Sequence, residues 1–233
     1  MNSMRSMVVD KIASVTQACG LSHELRIAPE IPVLSEESAQ VPYATRRRWS
    51  RLWVVDPLDG TKEFVQRNGE FTVNIALVDN HRPVLGIVHA PVLERDYFAC
   101  EGIGAFLSNA ESSGVPIRVA KRGPGAVRVV GSRSHRGSSL DTFLSRVGPH
   151  EFVEVGSSLK LCLVAEGKAD VYPRLGPTSE WDTAAGQCVL EQAGGQVLKI
   201  DGEPLDYNAR EEVLNPHFVG IADPDTDWLA MMR

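Results

Sequence analysis

The sequence has few cysteines, no long apolar run and no excess of positive charge, and each shortage excludes a class of protein. Its four cysteines include no C-x-x-C pair, which argues against a zinc site or a disulfide framework and predicts free thiols in a reducing compartment. No apolar run reaches the roughly 18 residues of a membrane span. The net charge of −6 argues against a nucleic acid polymer as partner but is compatible with a local basic pocket.

The remaining composition is that of an ordinary globular protein. The 233 residues are 43% hydrophobic and 23% charged, which supports one large domain or two small ones. The six histidines lack the H-x-x-x-H spacing of a histidine-based zinc site. Residues 1–19 contain no long apolar segment, so we expect no secretory signal and a cytoplasmic location.

Short β-type segments follow one another in the first half of the chain without helices between them. Trp49–Val55 is rich in β-forming residues, and Phe71–Asp79 alternates in a way that predicts a half-buried strand. Val84–Ala90 returns after a turn as the second strand of a hairpin. Asp96–Glu101 and Gly104–Leu107 continue the series, which predicts an antiparallel sheet.

Helices alternate with strands in the second half, which predicts an α/β arrangement. A stretch of glycine, proline and basic residues at 118–128 marks a boundary, so we divide the chain into a sheet domain at 1–120 and an α/β domain at 121–233. The predicted helices are Ser138–Val147, Ser157–Glu166 and Asp182–Ala193, and the predicted strands are Val127–Val130, Phe152–Val155 and Ala169–Tyr172.

The most informative motif is D-P-L-D-G-T at residues 56–61, at the end of a predicted strand. Two carboxylates three residues apart around a proline can converge on one point, and carboxylate and carbonyl oxygens suit Mg²⁺ or Mn²⁺. The backbone N–H groups of Gly60 and Thr61 can bind an anion if they open a helix. The alternative is a simple Asp-Pro turn closed by the aspartate side chain.

Two further acidic motifs accompany it. Glu36 and Glu37 follow the apolar run Ile31–Leu34, and Asp182 follows Trp181 at the start of a predicted helix. Taken singly, the first is typical of a solvated turn and the second of a helix cap. Taken together and in this order, the three motifs resemble those of the inositol monophosphatase superfamily of Mg²⁺-dependent, lithium-sensitive phosphatases.

The resemblance extends from Ile31 to about Pro216 and narrows to the CysQ-type 3'(2'),5'-bisphosphate nucleotidases. The segments that carry it are IPVLSEES, WVVDPLDGTKEFVQRNGEFTVNIALV, GSSLKLCLVAEGKADVYPRLGPTSEWDTAAG and PLDY. The run T-K-E-F at 61–64 stands where inositol phosphatases commonly have Thr-x-Asn-Phe. This resemblance implies a layered α-β-α-β-α sandwich that here lacks part of the first helical layer, with the metal site between the two domains.

The resemblance also implies the site residues. Two or three Mg²⁺ ions, or Mn²⁺ in their place, would bind the acids of the three motifs and one backbone carbonyl. Thr61 would orient the attacking water, and the N–H groups of Gly60 and Thr61 would hold the scissile phosphate. The implied metal ligands are Glu36, Asp56, Leu58, Asp59 and Asp182, the catalytic residues are Asp59 and Thr61, and the substrate-binding set is Glu36, Gly60, Thr61, Ser157, Ser158, Lys160, Arg174 and Asp182.

Recognition of a nucleotide depends on the basic residues among these. Lys160 and Arg174 are placed by the resemblance at the substrate, and the alternative is that both are surface charges. The run S-R-S-H at 132–135 follows a predicted strand and is positioned to reach a second phosphate. We interpret His135 as a hydrogen-bonded loop residue rather than a catalyst.

One family element is not matched. Family members usually carry a Thr-x-x-Asp element, whose acid helps to activate the water. Here the similar segment Thr16–Cys19 has cysteine in place of the aspartate, or else the element is absent from this sequence. A thiol does not replace a carboxylate as a hard-metal ligand at neutral pH. Two interpretations stay open, an active enzyme with a truncated or misassigned start and a natural variant with weakened catalysis. Incomplete first helices also predict an exposed apolar face on the first sheet.

The implied activity is Mg²⁺-dependent hydrolysis of 3'-phosphoadenosine 5'-phosphate (PAP) to AMP and phosphate, linked to sulfate assimilation. The alternatives are an inositol monophosphatase-type phosphatase and a degenerate, non-catalytic protein that binds nucleotide or metal. The expected partner is a small-molecule nucleotide. We expect a monomer or homodimer in the cytoplasm, with peripheral contact at the inner face of the cell membrane as a further option.

Overall fold

A computed structural model describes residues 30–38, 41–132 and 138–232. The first of its two sheets has seven strands that follow the order of the chain. These strands are β1 (Val33–Ser35), β2 (Arg51–Asp59), β3 (Thr72–Asp79), β4 (Arg82–Ala90), β5 (Arg95–Cys100), β6 (Gly104–Ser108) and β7 (Val115–Ile117). Strands β1 and β2 are parallel and the later neighbours are antiparallel, which confirms the predicted antiparallel meander.

Strand β2 extends beyond its predicted end at Val55 and includes most of the D-P-L-D-G-T motif. Its pairing with β3 shifts register between Asp56 and Asp59, which marks a bulge around Pro57. Proline lacks the N–H that a regular ladder needs, so it is tolerated at such a bulge. The irregularity places both aspartates on the last four residues of the strand.

The second sheet has five strands in the order β11-β12-β10-β8-β9. These strands are β8 (Val127–Gly131), β9 (His150–Glu154), β10 (Val171–Arg174), β11 (Gln196–Lys199) and β12 (Phe218–Ile221). Strand β8 is parallel to both β9 and β10, whereas β12 is antiparallel to its two neighbours. The sheet is therefore mixed: helices connect β8 to β9, β9 to β10 and β10 to β11, whereas residues 200–217 link β11 to its antiparallel neighbour β12 without a helix.

Helices fill the space between the sheets and cover the outer face of the second sheet. The helices of the described residues are α1 (Tyr43–Arg46), α2 (Thr61–Gln66), α3 (Ser138–Val147), α4 (Leu159–Ala165), α5 (Glu180–Gln192) and α6 (Trp228–Met232). Residues of α4 and α5 share one apolar core with both sheets, whereas α3 and α6 form another core on the outer face of the second sheet. In this part of the chain, no helix combines the length and apolar character needed to cross a membrane.

This order gives sheet, helices, sheet and helices, which are four layers of the predicted sandwich. The first helical layer, and the prediction that part of it is lacking, concern residues 1–29, which lie outside the described residues. Helix α5 comes from the second half of the chain but packs on β3, β4 and β5 of the first sheet. The division of the chain at residue 120 stays a prediction.

A close approach of backbones fixes α5 on the first sheet. A Cβ added to Gly86 on β4 would lie 2.8 Å from the Cβ of Cys188 and would also collide with the carbonyl oxygen of Ala185. Only glycine allows the helix to come so near the strand. Because α5 also carries Asp182, this contact helps to set the position of one acid of the site.

Two expectations about the first sheet are wrong. The alternation in Phe71–Asp79 predicts a half-buried strand, but seven of the eight residues of β3 are buried. One face of the strand packs against α5, and the other face belongs to a second apolar core. That second face was expected to be exposed. Its side chains Trp53, Ile75 and Ile87 are at most 2% exposed.

Candidate active site

Three aspartates from distant parts of the chain converge at one point. Asp56 and Asp59 lie on the bulged end of β2, and Asp182 lies in the first turn of α5. One carboxylate oxygen from each lies within 4.8 Å of the other two. The structure therefore brings together three of the acids that the sequence motifs predicted to act jointly.

Each of these carboxylates has one oxygen held by a backbone N–H group. The donors are Leu58 to Oδ1 of Asp56 at 2.9 Å, Ser158 to Oδ2 of Asp59 at 2.7 Å and Ser179 to Oδ2 of Asp182 at 2.8 Å. Oδ2 of Asp56 is buried and accepts no hydrogen bond from the described residues. A buried carboxylate oxygen without a donor is costly, and a bound cation removes that cost.

Burial and mutual repulsion raise the pKa values of the cluster. Desolvation, followed by the charge of Asp59, raises the pKa of Asp56 to about 8 and that of Asp182 to about 7. Carboxylates crowded in this way favour either protons or a divalent cation. An all-oxygen donor set is the type that Mg²⁺ and Mn²⁺ prefer, so the residues present fit such a metal.

The other two predicted ligands lie beside the cluster. Glu36 occupies the exposed turn after β1, and burial, followed by the charges of Glu37 and Asp59, raises its pKa. Together with Trp181 it lines a separate cavity of about 500 Å³. Leu58 lies on β2 between the two aspartates. Their roles as metal ligands stay predictions.

The start of α5 differs from the prediction in a way that affects Asp182. The helix begins at Glu180 rather than at Asp182, so Asp182 is not the cap but lies in the first turn and reaches back to Ser179 in a capping box. Glu180 is fully buried, and its two oxygens accept the N–H of Asn208 at 3.0 and 2.9 Å. The side chain of Asn208 in turn bonds Arg46 of α1.

A cavity of about 270 Å³ opens beside the aspartates. It is lined by Asp59, Asp182 and all the predicted binding residues except Glu36, namely Gly60, Thr61, Ser157, Ser158, Lys160 and Arg174. Thr61 opens α2, and Gly60 precedes it with φ of 86°, a left-handed value that glycine adopts without strain. One cavity thus holds both the anionic and the cationic parts of the predicted site.

Lys160 is not a surface charge, contrary to the alternative interpretation. It is 7% exposed, its Nζ donates to the carbonyl of Ser157, and it lies 5.6 Å from the centre of the Tyr172 ring. Burial lowers its pKa to about 8 against the opposing charge of Asp59. Arg174 ends β10, and its Nε is buried with no hydrogen-bond partner among the described residues.

Several residues of this region were missed by the sequence reasoning. Thr72 and Asn74 on β3 are 0% and 1% exposed and contact the site, although the alternating pattern placed them on the less buried face. The available signal was a pair of polar residues inside a strongly apolar strand. Other unpredicted cavity residues are Lys62, Glu63, Leu161, Tyr172, Pro177, Thr178 and Thr183. Ser132 also lines the cavity, whereas Arg133 to His135 and Thr16–Cys19 lie outside the described residues.

The two sheets, the convergent carboxylates and the cavity lined by both acidic and basic side chains together define a metal-dependent phosphatase. Comparison with known proteins agrees, because the model of the inositol monophosphatase family matches residues 8–224. The chain is 52% identical over 192 residues to the 3'(2'),5'-bisphosphate nucleotidase CysQ of Shigella flexneri, covering 82% of this chain and 76% of that protein. It is 39% identical over 216 residues to the CysQ nucleotidase of Haemophilus influenzae, covering 88% and 77%.

Solved structures give the same result. The crystal structure of CysQ from Bacteroides thetaiotaomicron has a TM-score of 0.76 at 46% identity, covering 83% of this chain and 77% of that one. An inositol monophosphatase of Thermotoga maritima has a TM-score of 0.72 at 26% identity, covering 98% and 79%. The chain belongs to the inositol monophosphatase family. Within that family it is more similar to these CysQ proteins than to the Thermotoga enzyme, which confirms the resemblance and the predicted fold.

Proposed function

We propose that the protein hydrolyses the 3'-phosphate of PAP to give AMP and inorganic phosphate, with Mg²⁺ as cofactor. Five relatives that are 50–52% identical carry the name 3'(2'),5'-bisphosphate nucleotidase, a family activity linked to sulfate assimilation. The observation that carries the proposal is that two of the convergent aspartates, Asp59 and Asp182, line the same cavity as the basic side chains of Lys62, Lys160 and Arg174.

A bisphosphorylated nucleotide needs two anion-binding positions, and this cavity offers both. The scissile phosphate would bind beside Asp59 and Asp182, where a metal ion compensates the negative charges. The second phosphate would bind Lys160 and Arg174, since ammonium and guanidinium groups are the usual hydrogen-bond donors to phosphate oxygens. Inositol monophosphate carries one phosphate only, so that substrate would offer Lys160 and Arg174 no second phosphate to bind.

The metal ions would be held by Asp56, Asp59 and Asp182, with Glu36 and the carbonyl of Leu58 as further ligands. When bound, Mg²⁺ would neutralise phosphoryl charge and make water more acidic. Residues of the chain would bind the phosphate and orient the water. The N–H groups of Gly60 and Thr61 would bind phosphate oxygens, and the Thr61 hydroxyl would orient the attacking water for in-line displacement.

The two alternatives differ in their support. An inositol monophosphatase activity is disfavoured by the 26% identity to the Thermotoga enzyme and by the cations described above. The non-catalytic alternative depends on the cysteine in Thr16–Cys19, which lies outside the described residues. It predicts binding of metal and nucleotide without release of phosphate.

The test is phosphate release from PAP and from inositol 1-phosphate, with and without Mg²⁺, by the full chain and its Asp59→Asn variant. We expect Mg²⁺-dependent release from PAP that is lost in the variant, because the substitution removes a ligand charge. Faster release from inositol 1-phosphate would favour the first alternative. Binding of PAP without release from either compound would favour the second. Location in the cytoplasm, peripheral membrane contact and the monomeric or dimeric state stay predictions.

A further inference from the structure

A buried set of polar side chains surrounds one oxygen of Asp59. Oδ2 accepts the N–H of Ser158 and the hydroxyl of Ser157, each at 2.7 Å. The amide nitrogen of Asn74 and the hydroxyl of Thr72 lie 3.3 and 3.4 Å from the same oxygen. We call these four residues, Thr72, Asn74, Ser157 and Ser158, the Asp59 support network.

The members of this network also bond one another. The hydroxyls of Thr72 and Ser158 lie 3.0 and 2.7 Å from Oδ1 of Asn74, and the Thr72 hydroxyl contacts that of Ser157. All four residues are at most 9% exposed. Polar groups this deeply buried persist only when each finds a partner, so removal of one hydroxyl leaves others unsatisfied.

The network joins two distant parts of the chain. Thr72 and Asn74 lie on β3 of the first sheet, whereas Ser157 and Ser158 immediately precede α4. Ser157 has φ of 56°, a left-handed value that costs energy for a residue other than glycine. In this conformation the Ser157 hydroxyl donates a hydrogen bond to Asp59, while the Ser157 carbonyl accepts a hydrogen bond from the ammonium group of Lys160.

We propose that the Asp59 support network sets the metal affinity of the site by holding Oδ2 of Asp59 and leaving the other oxygen for the cation. In this proposal the four residues position Asp59 and do not themselves bind the metal ion. A carboxylate fixed in one rotamer loses less entropy when it binds an ion than one that turns freely. The inference rests on the proposed metal site and goes beyond the predicted role of the two serines as substrate ligands.

The sharpest test compares two substitutions at Thr72. Thr72→Val keeps the shape of this fully buried side chain and removes its hydroxyl, whereas Thr72→Ser keeps the hydroxyl and removes a methyl group. Mn²⁺ binding to the nucleotide-free full chain is measured by calorimetry or electron paramagnetic resonance. We expect Thr72→Val to raise the Mn²⁺ dissociation constant by about tenfold, as is typical for loss of an outer hydrogen bond at a metal site. Thr72→Ser should stay within about twofold of the wild type, because its hydroxyl preserves that hydrogen bond.

Two further variants serve as controls, one for a failure of Thr72→Val to fold and one for the effect of a threonine-to-valine substitution as such. Ser157→Ala removes the hydroxyl that bonds Asp59 at the edge of the network, and it should weaken Mn²⁺ binding even if Thr72→Val does not fold. Thr142→Val makes the same exchange on the exposed surface of α3 and should leave Mn²⁺ binding unchanged. In PAP hydrolysis, half-saturation by Mg²⁺ should shift upward in Thr72→Val and stay near the wild-type value in Thr72→Ser.

Unchanged Mn²⁺ affinity in both Thr72→Val and Ser157→Ala would overturn the inference. Equal losses in Thr72→Val and Thr72→Ser would overturn it as well, because the hydroxyl would then be irrelevant. The binding assay contains no nucleotide, so a wild-type chain that binds Mn²⁺ but leaves PAP intact would contradict the proposed function alone. A wild-type chain that binds no Mn²⁺ would contradict the metal site itself.

Discussion

Asparagine in place of Asp56 should stabilise the metal-free protein at alkaline pH and remove its response to Mg²⁺. Asp56 is 1% exposed, and burial with repulsion from Asp59 raises its pKa from 3.8 to about 8. The folded state therefore binds this proton more tightly than the unfolded chain, and the free energy of unfolding falls as pH rises from about 4 to about 8. At about 1.4 kcal/mol per pKa unit the upper bound is about 6 kcal/mol, and relaxation of the cluster lowers the expected loss to about 2–3 kcal/mol.

The assay is urea unfolding of the metal-free wild type and of Asp56→Asn at pH 6 and pH 8, each repeated with Mg²⁺. The wild type should be less stable at pH 8 than at pH 6 without metal, and Mg²⁺ should restore stability by binding the folded state. The variant should show a flatter pH dependence and little effect of Mg²⁺. Asp79→Asn, at a partly exposed pair with Arg51, is the control and should change stability by less than about 1 kcal/mol. Equal stability of the metal-free wild type at both pH values would refute the reasoning, as would undiminished Mg²⁺ stabilisation of the variant.

Two further predictions concern the support of the site and its cation. Gly86→Ala should destabilise the protein by about 3 kcal/mol, because the added methyl group collides with α5. Calorimetry should then show a Tm that is lower by about 6–12 °C, and an unchanged Tm would contradict the close packing. Lys160→Met should raise KM for PAP by at least about tenfold through loss of a charged hydrogen bond, as steady-state kinetics would show. Because the pKa of Lys160 is about 8, wild-type kcat/KM for PAP should fall above that pH, and this fall should be absent from the variant. A parallel fall in both proteins would argue against a phosphate-binding role.

The sequence is sufficient to predict several of the strands and helices, and the acids that converge. The strands β3 to β6 follow the predicted ranges within two residues, and α3 matches its predicted range. The D-P-L-D-G-T motif and the Trp-Asp motif were predicted to act together because the family resemblance assigns both to one metal site. That inference needed no knowledge of packing, and the convergence of Asp56, Asp59 and Asp182 agrees with it.

The support of the site could not be predicted in the same way. The alternation in β3 separates two faces, but it does not say that both are covered, so Thr72 and Asn74 looked less buried than they are. Their partners Ser157 and Ser158 lie more than 80 residues away, and only tertiary packing brings them together. Likewise, β1 and β7 have three residues each, too few for an alternating pattern to be recognised.

The activity proposed for this chain is removal of the 3'-phosphate of a nucleotide in a metal-dependent reaction. The most direct measurement follows PAP by ³¹P nuclear magnetic resonance, with Mg²⁺ and with a chelator. We predict that with Mg²⁺ the 3'-phosphate signal disappears, inorganic phosphate appears and the 5'-phosphate signal of AMP persists, whereas the chelator prevents all change. Loss of the 5'-phosphate signal, turnover unaffected by the chelator, or intact PAP in the presence of Mg²⁺ would contradict the claim.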